Sequence, residues 1–295
     1  MTSPSSIPRK PGSPSIRPGL SRIEDVNVRL VEAWHSVRAL SKLSNWLSRH
    51  VATREFELFL KNILQDHHFE RLQKGNYDSG IMICANHRNY VDNIALAIRS
   101  MKHIPHDVRL LAPARTEGLF NKPWGIFLNL FGTFMSMYPP VVRNSRGAMW
   151  GKRVIEILIN LLNRGRVAVF IHPEGGRNKG NDPYDLLPAK PGLGKIVHQT
   201  QADVFPVFLQ GFPRSPKGMI RANYQRGARP LVHAVMGEPI DFSTERAQAA
   251  SPEIYREIGR KLMEAIVALS VEEREIRRSL DASRAQAISD GSVTE

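Results

Sequence analysis

The chain has 295 residues, 42% hydrophobic and 23% charged, with 41 Lys and Arg against 28 Asp and Glu, a formal net charge of +13. Length and composition fit one large α/β domain with appendages or two small domains, and exclude wholesale disorder or a collagen-like repeat. The single cysteine, Cys84, excludes an intramolecular disulfide and hence a secreted disulfide scaffold; the apolar run Ile81-Met82-Ile83-Cys84 around it predicts a buried strand thiol in a reducing compartment.

Residues 1–22 hold five Pro, six Ser, four Lys or Arg and no acid, and predict a disordered basic tail. They contain no apolar core of a signal peptide, so the protein is expected on the cytosolic side. From Ile23 to Val51, Ile23, Val26, Leu30, Trp34, Val37, Leu40, Leu43, Leu47 and Val51 recur every three or four residues, the period of an amphipathic helix. A second helix is expected over Arg54 to Leu64, so residues 23–74 read as an N-terminal helical segment. Beyond the Gly75-Asn76 turn, short apolar runs (Ile81–Ala85, Val108–Leu111, Val167–Ile171, Val204–Leu209, Leu231–Met236) alternate with helical ones (Asn93–Met101, Ala148–Asn163, Leu193–Thr200). That alternation predicts an α/β domain over 75–240, a mostly parallel sheet flanked by helices.

Gly165 stands where a helix C-terminal glycine is expected, just before the strand from Val167. Ser251-Pro252-Glu253 opens a C-terminal helix, residues 241–280 are expected to pack on the domain, and 281–295 are expected to fray. The uncharged stretch Pro123 to Val142 is long enough to span a bilayer, but Gly125, Asn129, Gly132, Ser136 and Pro139-Pro140 interrupt it. A buried or interfacial segment is the reading that follows.

Two segments carry candidate chemistry. Asn86-His87-Arg88-Asn89-Tyr90-Val91-Asp92 follows a strand directly, where functional residues of open α/β sheets gather. Five residues apart in a regular helix, His87 and Asp92 would diverge by about 140°. A loop entering a helix brings them together, with Asp92 holding one imidazole nitrogen and the other free to accept a proton. The plain alternative is a helix-capping Asp near a loop His. His172-Pro173-Glu174-Gly175-Gly176-Arg177 also follows a strand: its glycines allow close backbone approach and Arg177 can contact two phosphate oxygens. The plain alternative here is a glycine turn with a solvated arginine.

Taken together, NHRNYVD and HPEGGR resemble the motifs of the glycerolipid acyltransferase family, which reads Asn-His-x4-Asp and Phe-Pro-Glu-Gly-Thr-Arg. Asn86, His87, Asp92, Pro173, Glu174, Gly175 and Arg177 match. Arg143, ending Pro140-Val141-Val142-Arg143, aligns with an intermediate arginine motif, and Val204-Phe205-Pro206-Val207 with a strand containing an inner proline. Lys190-Pro191-Gly192 and Gly237-Glu238-Pro239-Ile240 are similar to further landmarks, so the resemblance spans roughly 75–240. His172 stands for the usual Phe, Gly176 for the usual Thr, and an aromatic residue is missing before Arg143. These departures fall where the family binds its acceptor.

The resemblance implies O-acyl transfer from acyl-CoA or acyl-carrier protein, used as co-substrate with no cofactor and no metal, to a lysophospholipid, lysophosphatidic acid first. It implies His87 as general base, Asp92 as its orienter, and Asn86, Arg143, Glu174, Gly175, Gly176 and Arg177 at the substrate. The alternatives are acylation of glycerol 3-phosphate or a lyso-aminolipid, or a non-catalytic basic protein binding lipid or nucleic acid. Between Arg143 and Arg229, fifteen Lys and Arg face five Asp and Glu, suited to an anionic membrane surface and coenzyme A phosphates. No nucleic-acid module accompanies that charge, and nucleic acid is not expected as a partner. The expected location is cytoplasmic, peripheral on the inner face of a membrane. His67-His68 and His103-Ile104-Pro105-His106-Asp107 lack a second ligand cluster and read as ordinary turns.

Overall fold

Continuous apolar runs make strands that are covered on both faces, and in the computed structural model they occupy the middle of one sheet. The structure describes residues 17, 20–115, 136–141, 148–213, 215–225 and 231–289. The strands are β1 (Leu64–His67), β2 (Ile81–Ala85), β3 (Arg109–Leu111), β4 (Ala114–Arg115), β5 (Pro140–Val141), β6 (Val167–Ile171), β7 (Asp203–Gln210) and β8 (Val232–Met236). Six form a sheet in the order β1-β8-β7-β2-β6-β3, parallel throughout except for the antiparallel β7–β8 pair. β4 and β5 pair separately. Successive side chains of a strand point to opposite faces, so β2 sends Ile81, Ile83 and Ala85 into one core and Met82 and Cys84 into the other. Cys84 is fully buried, and burial pushes its thiol pKa up, so it behaves as an apolar side chain.

The helices are α1 (Arg22–Ser36), α2 (Arg38–Leu47), α3 (Thr53–Leu60), α4 (Asp92–Ser100), α5 (Ala148–Asn163), α6 (Pro191–His198), α7 (Pro216–Tyr224), α8 (Ser243–Arg246) and α9 (Pro252–Ser289). α3 and α4 cover one face of the sheet; α5, α6 and α9 cover the other. After α5, Gly165 adopts φ +71°, and a Cβ there would lie 2.1 Å from the Asp78 carbonyl, so glycine alone closes this turn into β6.

Three expectations are corrected. The sheet starts at Leu64, inside the segment read as helical, because β1 is a short polar edge strand without an apolar signature. Residues 281–289 continue α9 instead of fraying. The single helix expected from Ile23 to Val51 is two helices and a π-turn (Ser48–Ala52), broken where Val37 takes an extended backbone.

The orientation of this N-terminal pair follows from the open edge of β3. Asn45 accepts from the Leu110 N–H at 3.2 Å and donates to the Val108 carbonyl at 3.2 Å, standing in for a missing neighbouring strand. Arg49 donates to the carbonyls of Ile104, Pro105 and Val108. His35 meets Arg109, and Trp34 donates to Ser44. The polar residues Asp25, Asn27, His35, Ser41, Ser44, Ser48 and Arg49 are therefore buried together with Val28 and Val31. Ile23, Val26, Leu30, Val37, Leu43 and Val51 of the apolar stripe are exposed, each by 41–55%, and Trp46 joins them. Arg17 pairs with Asp25 and Glu32, and Ser21 and Glu24 form a capping box, so this part of the expected tail is ordered.

Candidate active site

β2 and β6 are neighbours in the sheet and run in parallel, so the loops leaving their C-terminal ends meet. The β2 loop carries residues 86–91 into α4, whose first residue is Asp92. Asp92 Oδ2 accepts from His87 Nδ1 at 2.9 Å and from the backbone N–H groups of Arg88 and Asn89, both at 2.7 Å. The loop thus wraps round one carboxylate, which is 2% exposed. A carboxylate on Nδ1 keeps that nitrogen protonated, leaving Nε2 of the half-buried His87 as the proton acceptor.

The β6 loop fixes the backbone of His87 from both sides. Glu174 Oε1 accepts its N–H at 2.8 Å, and Asn178 donates its N–H to its carbonyl at 2.7 Å. The other oxygen of Glu174 accepts from Leu187 N–H at 3.1 Å. Burial pushes the Glu174 carboxyl pKa up, and the two backbone donors oppose that rise. The resemblance implied a place for Glu174 at the substrate; in the structure this 1% exposed carboxylate ties the two loops together. Asn86 is likewise engaged with the protein's own backbone: its amide exchanges two hydrogen bonds, 2.8 and 3.0 Å, with Leu209 on β7 and is 1% exposed.

Gly175, exposed, turns the β6 loop at φ +65°, donating its N–H to the His172 carbonyl, while Gly176 follows it half-buried. Arg177 lies 3.5 Å over the ring of Tyr90 and donates to its hydroxyl at 2.6 Å, which links the two motifs across the mouth of the site. Tyr90 is 76% exposed. Arg88 donates to the carbonyls of Gly180 and Asp182. Sequence reasoning passed over Tyr90, Arg88 and Asn178, although the first two sit among the four variable positions between His87 and Asp92. Arg143 lies outside the described residues, as do 123–135 and Val142 of the long uncharged stretch.

His172 packs face to face on His87, with ring centroids 3.9 Å apart and planes 7° apart. Its Nδ1 lies 2.9 Å from the Ala85 carbonyl. On the sheet side of α4 lies an apolar cavity with about 490 Å³ of empty space including its mouth, lined by Ala52, Phe56, Ile94, Ala97, Met137 and Phe170 among others.

The site thus sets a histidine against a buried carboxylate at the C-terminal end of a mostly parallel sheet, with a glycine turn beside it, the arrangement that general-base chemistry requires. Residues 64–210 match the family model described as Acyltransferase, and this segment is an acyltransferase-family domain. Similarity also extends to 1-acyl-sn-glycerol-3-phosphate acyltransferase beta of Homo sapiens, at 30% identity over 131 residues, 44% of this chain and 41% of the human protein. The chain therefore spans about two-fifths of the length of that curated relative. Among the described residues, no helix is long and apolar enough to cross a membrane, and no group of three or more His, Cys, Asp and Glu could hold a metal ion.

Proposed function

We propose that the protein transfers a fatty acyl group from acyl-CoA or acyl-carrier protein to a hydroxyl of a lysophospholipid, with lysophosphatidic acid as first acceptor and phosphatidic acid as product. The observation that carries this reading is the His87 Nδ1 to Asp92 Oδ2 contact at 2.9 Å, which leaves Nε2 as a base. His87 Nε2 takes the hydroxyl proton as that oxygen bonds to the thioester carbonyl carbon. The tetrahedral species then collapses, the carbon–sulfur bond breaks, and His87 returns the proton to the leaving thiolate. Asp92 balances the imidazolium meanwhile. Arg177, held by Tyr90, and Arg143 bind the acceptor phosphate, so binding remote from the reacting atoms orients them. The acyl chain occupies the cavity beside α4, with Met137 of the long uncharged stretch contributing to its wall.

The lipid substrate and the exposed stripe Ile23, Val26, Leu30, Val37, Leu43 and Trp46 support peripheral docking on the inner face of an anionic membrane. Arg22, Arg38 and Lys42 are exposed on the same two helices and suit anionic headgroups. The test is an acceptor screen with radiolabelled acyl-CoA and product identification by mass spectrometry, run on wild type and His87→Ala. Acylated lysophosphatidic acid formed by the wild type alone supports the reading. Absence of transfer to any lipid hydroxyl, or equal turnover by both proteins, refutes it.

A further inference from the structure

The Asp92 contact holds one atom of the His87 ring. The χ2 torsion of a histidine is broad, so a hydrogen bond at Nδ1 alone leaves the ring plane, and with it the direction of Nε2, free to swing. The face of His172 lies parallel to that plane at 3.9 Å. His172 is itself anchored: the Ala85 carbonyl accepts and cannot donate, so Nδ1 of His172 carries its proton and Nε2 carries none. The anchor point is the last residue of β2, two residues before His87, and His172 directly follows β6. A turn of the His87 ring out of plane would drive it into a side chain tied to the sheet.

We propose that His172 is a positioning residue for His87, holding the ring in the plane from which Nε2 meets the acceptor hydroxyl. This rests on the acyl-transfer reading for its kinetic part. A second imidazole so close is compatible with an imidazolium at His87 because His172 stays neutral: burial, and next the neighbouring His87, push its pKa down to about 4. Its Nε2 is buried and has no hydrogen-bond partner in the structure, as expected of a ring kept for its face and its single anchor. Phenylalanine, which the resemblance places here, would keep the face and lose the anchor. Asparagine would keep a donor for Ala85 and lose the aromatic face.

The full chain carrying His172→Phe, His172→Asn or His172→Ala is compared with wild type for kcat and for KM of acyl-CoA and lyso-acceptor. Thermal unfolding is followed in parallel. The expected result is a kcat lowered about 10²-fold in the Asn and Ala variants, as for a misplacement of about 1 Å, with both KM values within twofold. The Phe variant should stay within about threefold of wild type. Long-range ¹⁵N–¹H spectra of histidine-labelled protein should show His172 as the neutral Nδ1–H tautomer at pH 7. The His87 Nδ1 proton signal should be sharp in wild type and the Phe variant and broadened in the Asn variant. Wild-type kcat in a folded Asn variant, loss in Phe with retention in Asn, or an Nε2–H tautomer at His172 would overturn the inference. The spectra need no turnover, so an inactive wild type overturns the reaction while these signals still decide the role of His172.

Discussion

Glu174 Oε1 accepts the backbone N–H of His87 at 2.8 Å, so the carboxylate of one motif fixes the backbone of the histidine supplied by the other. A role in positioning and a role in phosphate binding make opposite kinetic demands. Glu174→Gln presents an amide N–H₂ where one of two backbone N–H groups, His87 or Leu187, needs an acceptor. A buried unsatisfied donor costs about 1–3 kcal/mol. The variant is expected to melt earlier and lose kcat with little change in acceptor KM. An acceptor KM raised tenfold at unchanged kcat would restore Glu174 to the phosphate.

His87→Ala removes the base without removing core packing. The expected loss of turnover is about 10²- to 10⁴-fold, with an unfolding midpoint near that of wild type. Asp92→Asn should fare worse in stability, because a neutral amide oxygen is a weaker acceptor than a carboxylate for the three donors now on Oδ2. Circular dichroism melts alongside initial rates separate the two effects.

Arg177→Ala should raise the KM of a phosphorylated acceptor at least about tenfold while leaving the acyl-CoA KM nearly unchanged. Arg177→Lys should recover part of this, since an ammonium lacks the planar fork that binds phosphate bidentately and stacks on Tyr90. Wild-type kinetics of both variants toward phosphorylated and dephosphorylated acceptors would exclude the assignment.

Acid should destabilise the fold before carboxylates titrate. Burial holds His35 down to about 3, and His172 and His233 down to about 4. Below pH 6.5 the unfolded chain binds protons at these positions that the native state refuses, so their full stability is present above 6.5 and declines toward pH 4. Each contributes a slope of up to about 1.4 kcal/mol per pH unit. Urea midpoints measured from pH 7.5 to 4.5 should fall steadily, and a flat profile would contradict these three environments.

Replacing Ile23, Val26 and Leu30 with Ser removes apolar side chains that touch solvent and should leave the melting temperature almost unchanged. At roughly 25 cal/mol per Å² of apolar surface, their loss should lower affinity for anionic vesicles at least about tenfold. Raised salt should weaken binding of both proteins through Arg22, Arg38 and Lys42. Equal co-sedimentation of the folded variant and wild type at low salt would remove this face as the docking surface.

The parts legible in the sequence are those with a local cause. β2 and β6 have the predicted ends because uninterrupted apolar runs meet polar motifs, and Gly165 ends α5 because its backbone requires it. His87 and Asp92 meet because a five-residue spacing works in a loop feeding a helix. The hidden parts depend on distant partners. β1, with Gln65, Asp66 and His67, is defined by pairing with β8 across the chain. Glu174 and Asn86 look like ligands in sequence, and their bonds to the backbone of His87, Leu187 and Leu209 could not be read there. Periodicity located the apolar stripe of α1 and α2, yet the side facing inward is decided by the carbonyls and N–H groups of β3.

That edge has a consequence for how the N-terminus can be studied. Asn45 and Arg49 occupy backbone groups of β3 and the residues before it that would otherwise pair with another chain. Cutting away residues 1–52 would uncover a template for strand addition, and the shortened protein would self-associate edge to edge. Pelleting of such a fragment would report aggregation, with or without vesicles. The pair α1–α2 thus guards the sheet against its own copies, independently of anything its outer face touches.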